Sequence, residues 1–133
     1  MKQHQRAAVG SAFIVKQHQR AAVGSAFIPD EPWITDETRD LSGAIVSLRS
    51  VDEALRFLRD LCTVTEIREL GERWHVARLL HAGVSYAEIA RQTGASSATI
   101  SRVGQWLRYG RGGYRLLIDR QARRGRAQGG QRE

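Results

Sequence analysis

Cysteine is nearly absent from the 133-residue chain, and long apolar runs are missing altogether. The single cysteine, Cys62, excludes an intramolecular disulfide framework, and its place at the apolar end of a predicted helix indicates core packing rather than a reactive thiol. No apolar run approaches the ~18–20 residues of a membrane span. A chain of this length holds one domain with terminal extensions. We therefore expect a cytoplasmic protein that contacts no membrane.

Catalytic groupings of side chains are also missing. No Ser, His and Asp, and no Cys and His, lie at spacings that predict a shared site. His75 and His81 are six residues apart on one predicted helix, so they point in different directions and cannot share a metal ion as an i, i+4 pair would. The sequence therefore predicts no enzyme, no metal site and no cofactor.

Charge is distributed unevenly along the chain, whose net formal charge is +7. Residues 1–28 carry a net charge of +4, residues 29–62 carry −4, and residues 63–133 carry +7. A basic carboxyl-terminal half is typical of proteins that bind nucleic-acid phosphates, although a solvated basic surface has the same composition. Charge alone leaves both interpretations open.

The amino-terminal segment contains a perfect 13-residue tandem repeat. Residues 2–14 recur without change as residues 16–28, and Met1 corresponds to Val15. Two copies are too few for a solenoid, and their identity indicates a recent in-frame duplication. The codon GTG encodes valine within a gene and methionine at a start site. We therefore hypothesise that translation also starts at Val15, and a codon other than GTG at this position would exclude the hypothesis. Residues 1–34 are predicted to form a flexible arm.

From Thr35 onwards the apolar residues recur at three- and four-residue spacings, and no stretch shows sustained strand alternation. The pattern predicts an all-α fold of six helices over residues 35–120, followed by a disordered basic tail over residues 121–133. Three capping boxes, each a Ser or Thr followed three residues later by Glu, mark helix starts: Ser50 with Glu53, Thr63 with Glu66, and Ser85 with Glu88. The helix after Thr63 is expected to bury one stripe: Ile67, Leu70, Trp74, Ala77 and Leu80.

The predicted helices are short, yet their apolar stripes are wide. A compact monomer of about 85 ordered residues would have difficulty burying all of them. Intertwining with a second copy would solve this and would supply the two recognition helices that a two-fold DNA site requires. The core shared by the two chains is then expected to contain Ile45, Leu48, Leu55, Leu58, Leu70 and Trp74.

Residues 85–108 have the pattern of a helix-turn-helix. Ala90 is the small residue at which the first helix comes close to the second, and Gly94 lies where the turn needs a positive φ. Ser96 or Ser97 caps the second helix. The apolar positions that lock the two helices together are Ile89, Ala95, Ile100 and Val103. An ordinary helical hairpin with a glycine turn is the alternative, but all of these offsets are filled in one register.

Side chains near the start of the second helix would reach base edges in the major groove: Ser97, Ala98, Thr99, Ser101 and Arg102. Arg102 is the one residue able to bind guanine through two hydrogen bonds, whereas Ser and Thr hydroxyls tolerate several bases. The candidate contacts to the DNA backbone, which position the protein without specifying sequence, are Tyr86, Arg91, Gln105 and Arg108. For each of these alone, a solvated surface residue is an equal alternative. Trp106 and Leu107 are expected to pack inward.

From Thr35 to about Arg120 the chain resembles the tryptophan-repressor-like family, in its YerC/YecD-type branch. The resemblance is carried by the block starting at Asp60 (DLCTVTEIREL), the block starting at Arg73 (RWHVARLL), and above all the block starting at Thr93 (TGASSATISRV) with Leu107-Arg-Tyr-Gly. It implies an intertwined homodimer that presents two helix-turn-helix units to DNA. The tryptophan repressor itself docks on DNA in this way and contacts bases largely through bound water.

The resemblance also implies a corepressor pocket between the long central helix and the recognition helix. The matching residues are Thr63, Arg73 and Arg102. In the family, the arginines at these positions flank the indole of a bound amino acid and bind its carboxylate. Val103 replaces the family's glycine after the recognition-helix arginine, and its branched side chain would crowd an indole. Two possibilities therefore remain: the protein binds no ligand, or it binds a small amino-acid-like corepressor. For Arg73 another interpretation is an ion pair with Glu69, and for Arg102 a phosphate or base contact.

Motif, charge and resemblance together predict a sequence-specific DNA-binding regulator of transcription, a repressor that acts as a homodimer on double-stranded DNA. The alternative is a nucleoid-associated, architectural protein with little sequence preference, which the basic terminal segments favour. The well-formed recognition helix favours the regulator. A helix bundle that reuses the motif for protein contacts is a further alternative, and it would not bind DNA at low salt.

Overall fold

The computed structural model describes residues 31–130, which divide into two units between Asp40 and Leu41. Within residues 31–130 there are six helices and no strand, so the predicted all-α fold is confirmed. The helices are α1 (Asp36–Ser47), α2 (Val51–Leu61), α3 (Val64–His81), α4 (Tyr86–Thr93), α5 (Ser97–Tyr109) and α6 (Gly113–Gly129). The tandem repeat and the hypothesised start at Val15 lie outside the described residues.

Side-chain caps fix where the helices begin. Thr63 and Glu66 form the predicted capping box at the start of α3: the Thr63 hydroxyl accepts from the N–H of Glu66, and the Glu66 carboxylate accepts from the N–H of Thr63, both at 3.2 Å. Ser50 caps α2, but the Glu53 carboxylate accepts from the N–H of Arg49 instead of that of Ser50. The predicted box at Ser50 is therefore only half formed.

The hydrophobic core lies between α3, α4 and α5. Its buried residues are Val76, Ala77, Ile89, Ala95, Ile100, Val103 and Leu107. Of the stripe predicted for α3, Ala77 is buried, whereas Leu70 is 45% exposed. The sequence pattern missed Val76, which is completely buried. None of α1, α2 and α6 buries a residue within the chain.

The predicted disordered tail is wrong for residues 121–129, because α6 continues as a helix to Gly129. Arginine, alanine and glutamine, which make up most of this segment, have high helix propensity, and Gly125 alone costs about 1 kcal/mol relative to alanine. The first turns of α6 are anchored on α3, where Tyr114 stacks on Trp74 with ring centroids 6.3 Å apart. A helix that is nucleated there needs only favourable propagation to extend.

A glycine inside α5 makes room for α4. A Cβ atom on Gly104 would lie 2.6 Å from the Tyr86 hydroxyl oxygen. We expect Gly104→Ala to destabilise the protein by ~1–2 kcal/mol, because this contact outweighs the gain in helix propensity. In the Tyr86→Phe background the hydroxyl is gone, and the same change should stabilise by up to ~1 kcal/mol. Urea denaturation of the four proteins measures both effects, and equal changes in the two backgrounds would contradict this packing.

Candidate nucleic-acid interface

The turn between α4 and α5 has the geometry that the sequence predicts. Gly94 has a φ of 70°, in the left-handed region that glycine adopts without strain, and its N–H donates to the carbonyl of Ala90. The Thr93 hydroxyl donates to the carbonyl of Ile89 at 2.7 Å and accepts from the N–H of Ala95 at 3.1 Å. These bonds fix the path of the chain from one helix to the next.

The orientation of α5 is fixed by a cap and by its buried face. Ser96, not Ser97, is the N-cap, and its hydroxyl accepts from the N–H of Thr99 at 3.1 Å. Ile100 and Val103 are 1% and 3% exposed. Because these residues face α3 and α4, the opposite side of α5 is left in solvent along its whole length.

Four of the five predicted base-contact residues share this exposed side of α5: Ser97, Ala98, Ser101 and Arg102. Thr99 lies elsewhere. It is half-buried, its hydroxyl accepts from the Ser96 hydroxyl at 3.0 Å, and it lines a cavity next to α3. The Thr99 hydroxyl keeps its own O–H as a donor, but its half-buried position makes it less available to base edges than the four exposed residues.

The predicted backbone contacts lie on both sides of the exposed face. Gln105 and Arg108 are exposed on α5, one and two turns beyond Ser101. Tyr86 is 40% exposed at the start of α4, with its hydroxyl directed towards Gly104. The structure therefore leaves Gln105 and Arg108 available to phosphates and uses Tyr86 at least in part for helix packing.

Arg91, the fourth predicted backbone contact, is held by an acidic neighbour. Its Nε donates to Oε2 of Glu88 at 2.9 Å, and Gln92 Nε2 donates to Oε1 of the same carboxylate at 2.8 Å. Because Arg91 and then Gln92 stabilise its charged form, the pKa of Glu88 is lowered from its usual value. Ser85 caps α4 through the N–H of Glu88 at 3.2 Å, but Glu88 does not bind back. The predicted box at Ser85 is thus half formed, since a guanidinium is the stronger donor.

Removing the Glu88 charge should strengthen contact with DNA phosphates. Glu88→Gln deletes a negative charge near the expected backbone and releases Arg91, so affinity for a random duplex should rise and its salt slope should steepen by about 0.9 per chain. Glu66→Gln is the matched control, because it occupies the same third position of α3 and keeps its bond to Thr63. Fluorescence anisotropy over a salt series measures the slopes. Weaker binding by Glu88→Gln would mean that Glu88 positions Arg91 for its contact.

A cavity of about 540 Å³ lies between α3, α5 and α6. Two of the three residues predicted for an effector pocket, Arg73 and Arg102, line it together. Thr63 does not line it, since it lies ten residues before Arg73, about 15 Å along α3, and its hydroxyl serves the capping box. The remaining lining residues are Glu69, Glu72, Thr99, Val103, Trp106 and Tyr114.

The charges in this cavity are not neutralised by contact pairs. In the part of the chain that the structure describes, Arg73 forms no ion pair, so the alternative of a pair with Glu69 is not supported. The cavity wall therefore offers guanidinium donors from Arg73 and Arg102 next to the carboxylates of Glu69 and Glu72. Such a set can bind a carboxylate and an ammonium group at the same time.

Trp106 differs from the sequence prediction, whereas Leu107 agrees with it. Leu107 is buried, but Trp106 is 59% exposed and lines the cavity. Residue 106 lies near the edge of the exposed side when helix positions are counted from the buried residues Val103 and Leu107. Helical periodicity could therefore have predicted the orientation of Trp106. Gly104 was likewise missed, although a glycine inside a helix commonly marks a close approach.

Other kinds of site find little support between residues 31 and 130. No group of three or more His, Cys, Asp or Glu side chains in this range is arranged to hold a metal ion. His81 lies at the end of α3 with its Nε2 3.8 Å from Oδ1 of Asp119. None of the helices in the same range is both long and apolar enough to cross a membrane.

The sequence model of the family described as Trp repressor protein matches residues 36–122. The chain belongs to the Trp repressor family. The match spans the helix-turn-helix and the helices on either side of it, and it ends inside α6. The predicted family resemblance is confirmed, and membership suggests a DNA-binding regulator.

Individual Trp repressor-like proteins are similar over the same region. The uncharacterized protein YerC of Bacillus subtilis (strain 168) is 46% identical over 84 residues, which are 63% of this chain and 81% of YerC. A TrpR-like protein from Eubacterium eligens ATCC 27750 has 44% identity and a TM-score of 0.64, covering 67% of this chain and 92% of its own. A candidate Trp repressor from Staphylococcus aureus has 40% identity and a TM-score of 0.64, with coverages of 66% and 88%.

Proposed function

We propose that the protein is a sequence-specific regulator of transcription that binds double-stranded DNA through α5. The observation that carries this proposal is the division of α5 into two faces. Ile100 and Val103 are buried against α3 and α4, whereas Ser97, Ala98, Ser101 and Arg102 are exposed at the amino-terminal end, the part of a recognition helix that contacts base edges. Hydroxyls and one arginine imply readout that combines a direct guanine contact with bound water and DNA shape.

We further propose that the regulator acts as a homodimer. Several large apolar side chains of α1 and α2 are exposed in the single chain, including Ile45 at 51%, Val51 at 78% and Leu55 at 60%. Monomeric proteins rarely leave so much apolar surface in contiguous patches. An intertwined partner would cover these helices and would present two copies of α5 to a two-fold site.

Repression in the cytoplasm is the proposed mode of action. The family description as a repressor protein supports repression, since a dimer bound at a promoter blocks access to it. An architectural role is the second candidate, and the five arginines of α6 favour it. The affinity for an enriched duplex relative to random DNA at fixed salt separates the two, because a protein without sequence preference gives a ratio near one.

DNA binding is proposed to need no cofactor. Val103 and Trp106 form part of the wall of the cavity that Arg73 and Arg102 also line. The branched side chain of Val103 takes up space that an indole would need. We expect extensively dialysed protein to bind duplex DNA with full affinity, and added amino acids to change this affinity by less than twofold. Anisotropy titrations with and without a mixture of amino acids provide the measurement. An amino acid that tightens binding about tenfold, with the effect abolished in Arg73→Ala, would instead make the cavity an effector site.

A further inference from the structure

We propose that the distal half of α6, residues 120–129, is a second DNA contact that binds phosphates without regard to sequence. The inference rests on the proposed function, since it assigns an additional segment to the same DNA complex. It concerns DNA outside the base pairs that α5 reaches.

The distal half of α6 is strongly and uniformly basic. It carries Arg120, Arg123, Arg124 and Arg126 and contains no acidic residue, and every side chain in it is exposed. None of these four arginines forms an ion pair with another residue between 31 and 130. Elsewhere Arg56 lies 4.0 Å from Asp52, and Arg91 is paired with Glu88.

The distal half of α6 also lacks the tertiary packing that normally stabilises a helix in a protein. Asp119 reaches α3 through His81, and every residue of α6 after it is exposed. The following ten residues extend about 15 Å as helix without burying anything. Arg120 and Arg124 are four residues apart, and like charges at this spacing repel and destabilise a helix. A polyanion along the helix removes this repulsion.

The attachment of α6 next to the recognition helix favours DNA as that polyanion. Tyr114, in the first turn of α6, lines the same cavity as Arg102 and Trp106 of α5. The basic segment is therefore attached to α3 beside a cavity that the recognition helix also lines. The competing partner of suitable charge is the segment 29–62 of a second copy, which has a net charge of −4.

The test compares two full-length variants with all four arginines replaced, by glutamine in one and by lysine in the other. Glutamine and lysine match arginine in helix propensity, so α6 should be retained in both, as circular dichroism will show. The measurement is the affinity for a random-sequence duplex of about four helical turns over a salt series. Sedimentation of each protein without DNA gives its oligomeric state.

We expect the glutamine variant to neutralise at least two fewer phosphates than the wild-type protein. Its salt slope should fall by about 1.8 or more, and its affinity at 0.15 M salt should fall about 30-fold or more. The lysine variant should keep the wild-type slope, because phosphate binding by point charges does not require the guanidinium.

An unchanged slope in the glutamine variant, with wild-type protein still binding the duplex, would overturn this inference alone. A change of oligomeric state at unchanged slope would assign the segment to a second copy and would overturn it too. Failure of wild-type protein to bind any duplex at low salt would instead overturn the proposed function, and the inference with it.

Discussion

Arg102→Ala should lower affinity for the specific DNA site by about 1–3 kcal/mol at each half-site, which is about 5- to 150-fold. Arg102 is exposed on the amino-terminal half of α5 and is the one side chain on that face able to form two hydrogen bonds with a guanine. Preference should relax at one base pair of each half-site. A dimer carries the change twice, so the whole site should lose nearly double this free energy.

Arg108→Ala is the matched control, since it removes the same charge six residues nearer the end of α5. It should weaken specific and random DNA together and reduce the salt slope by about 0.9 for each phosphate that is no longer neutralised. Binding to a library of single-base variants, at several salt concentrations, separates the two outcomes. If both substitutions act alike on all DNA, the sequence-specific account is wrong. If Arg102→Ala alters only the response to a small carboxylate, Arg102 belongs to an effector site.

Leu55→Asp should abolish the folded dimer. Leu55 is 60% exposed in the single chain, where a surface substitution normally changes stability by less than ~0.5 kcal/mol. In a core shared by two chains the same change buries an unpaired charge and costs ~3 kcal/mol or more per chain. Because an intertwined dimer has no stable folded monomer, association and helix content should disappear together.

The control for this substitution is Leu55→Met, which conserves volume and apolar character and should cost less than ~1.5 kcal/mol. Sedimentation equilibrium gives the mass of each variant, and circular dichroism gives its helix content at the same micromolar concentration. A folded, monomeric Leu55→Asp variant with unchanged melting temperature would place Leu55 on a free surface. It would remove the main support for the dimer.

The helix-turn-helix could be predicted from the sequence because its determinants are local. Gly94 needs a positive φ, and Ile89, Ala95, Ile100 and Val103 meet at fixed offsets, so the stretch 89–103 contains the information. The Thr63 capping box is equally local and forms as predicted. The exposure of Ser97, Ala98 and Ser101 follows from helical periodicity once the buried face is known.

Features that depend on contacts between distant segments were not predictable in the same way. The complete burial of Val76 depends on how α4 and α5 pack against α3. The half-formed box at Glu88 has a local cause that the capping pattern does not show, because Arg91, three residues later, binds the same carboxylate. Composition suggested disorder after residue 120, but the stacking of Tyr114 on Trp74 anchors a helix that then extends to Gly129. The cavity brings together Arg73 and Arg102, which lie on different helices, and their proximity depends on how α5 packs on α3 rather than on spacing in the sequence.

The most direct test of the central claim is the affinity of the dialysed protein for a duplex enriched from a random pool, divided by its affinity for unselected duplex at the same salt concentration. A recognition helix that reads base edges predicts a ratio of about 1,000 or more, together with a two-fold symmetric enriched sequence whose half-sites lie about one helical turn apart. A ratio near one, with both affinities falling equally as salt is raised, would contradict sequence-specific regulation and would establish a purely electrostatic DNA-binding protein.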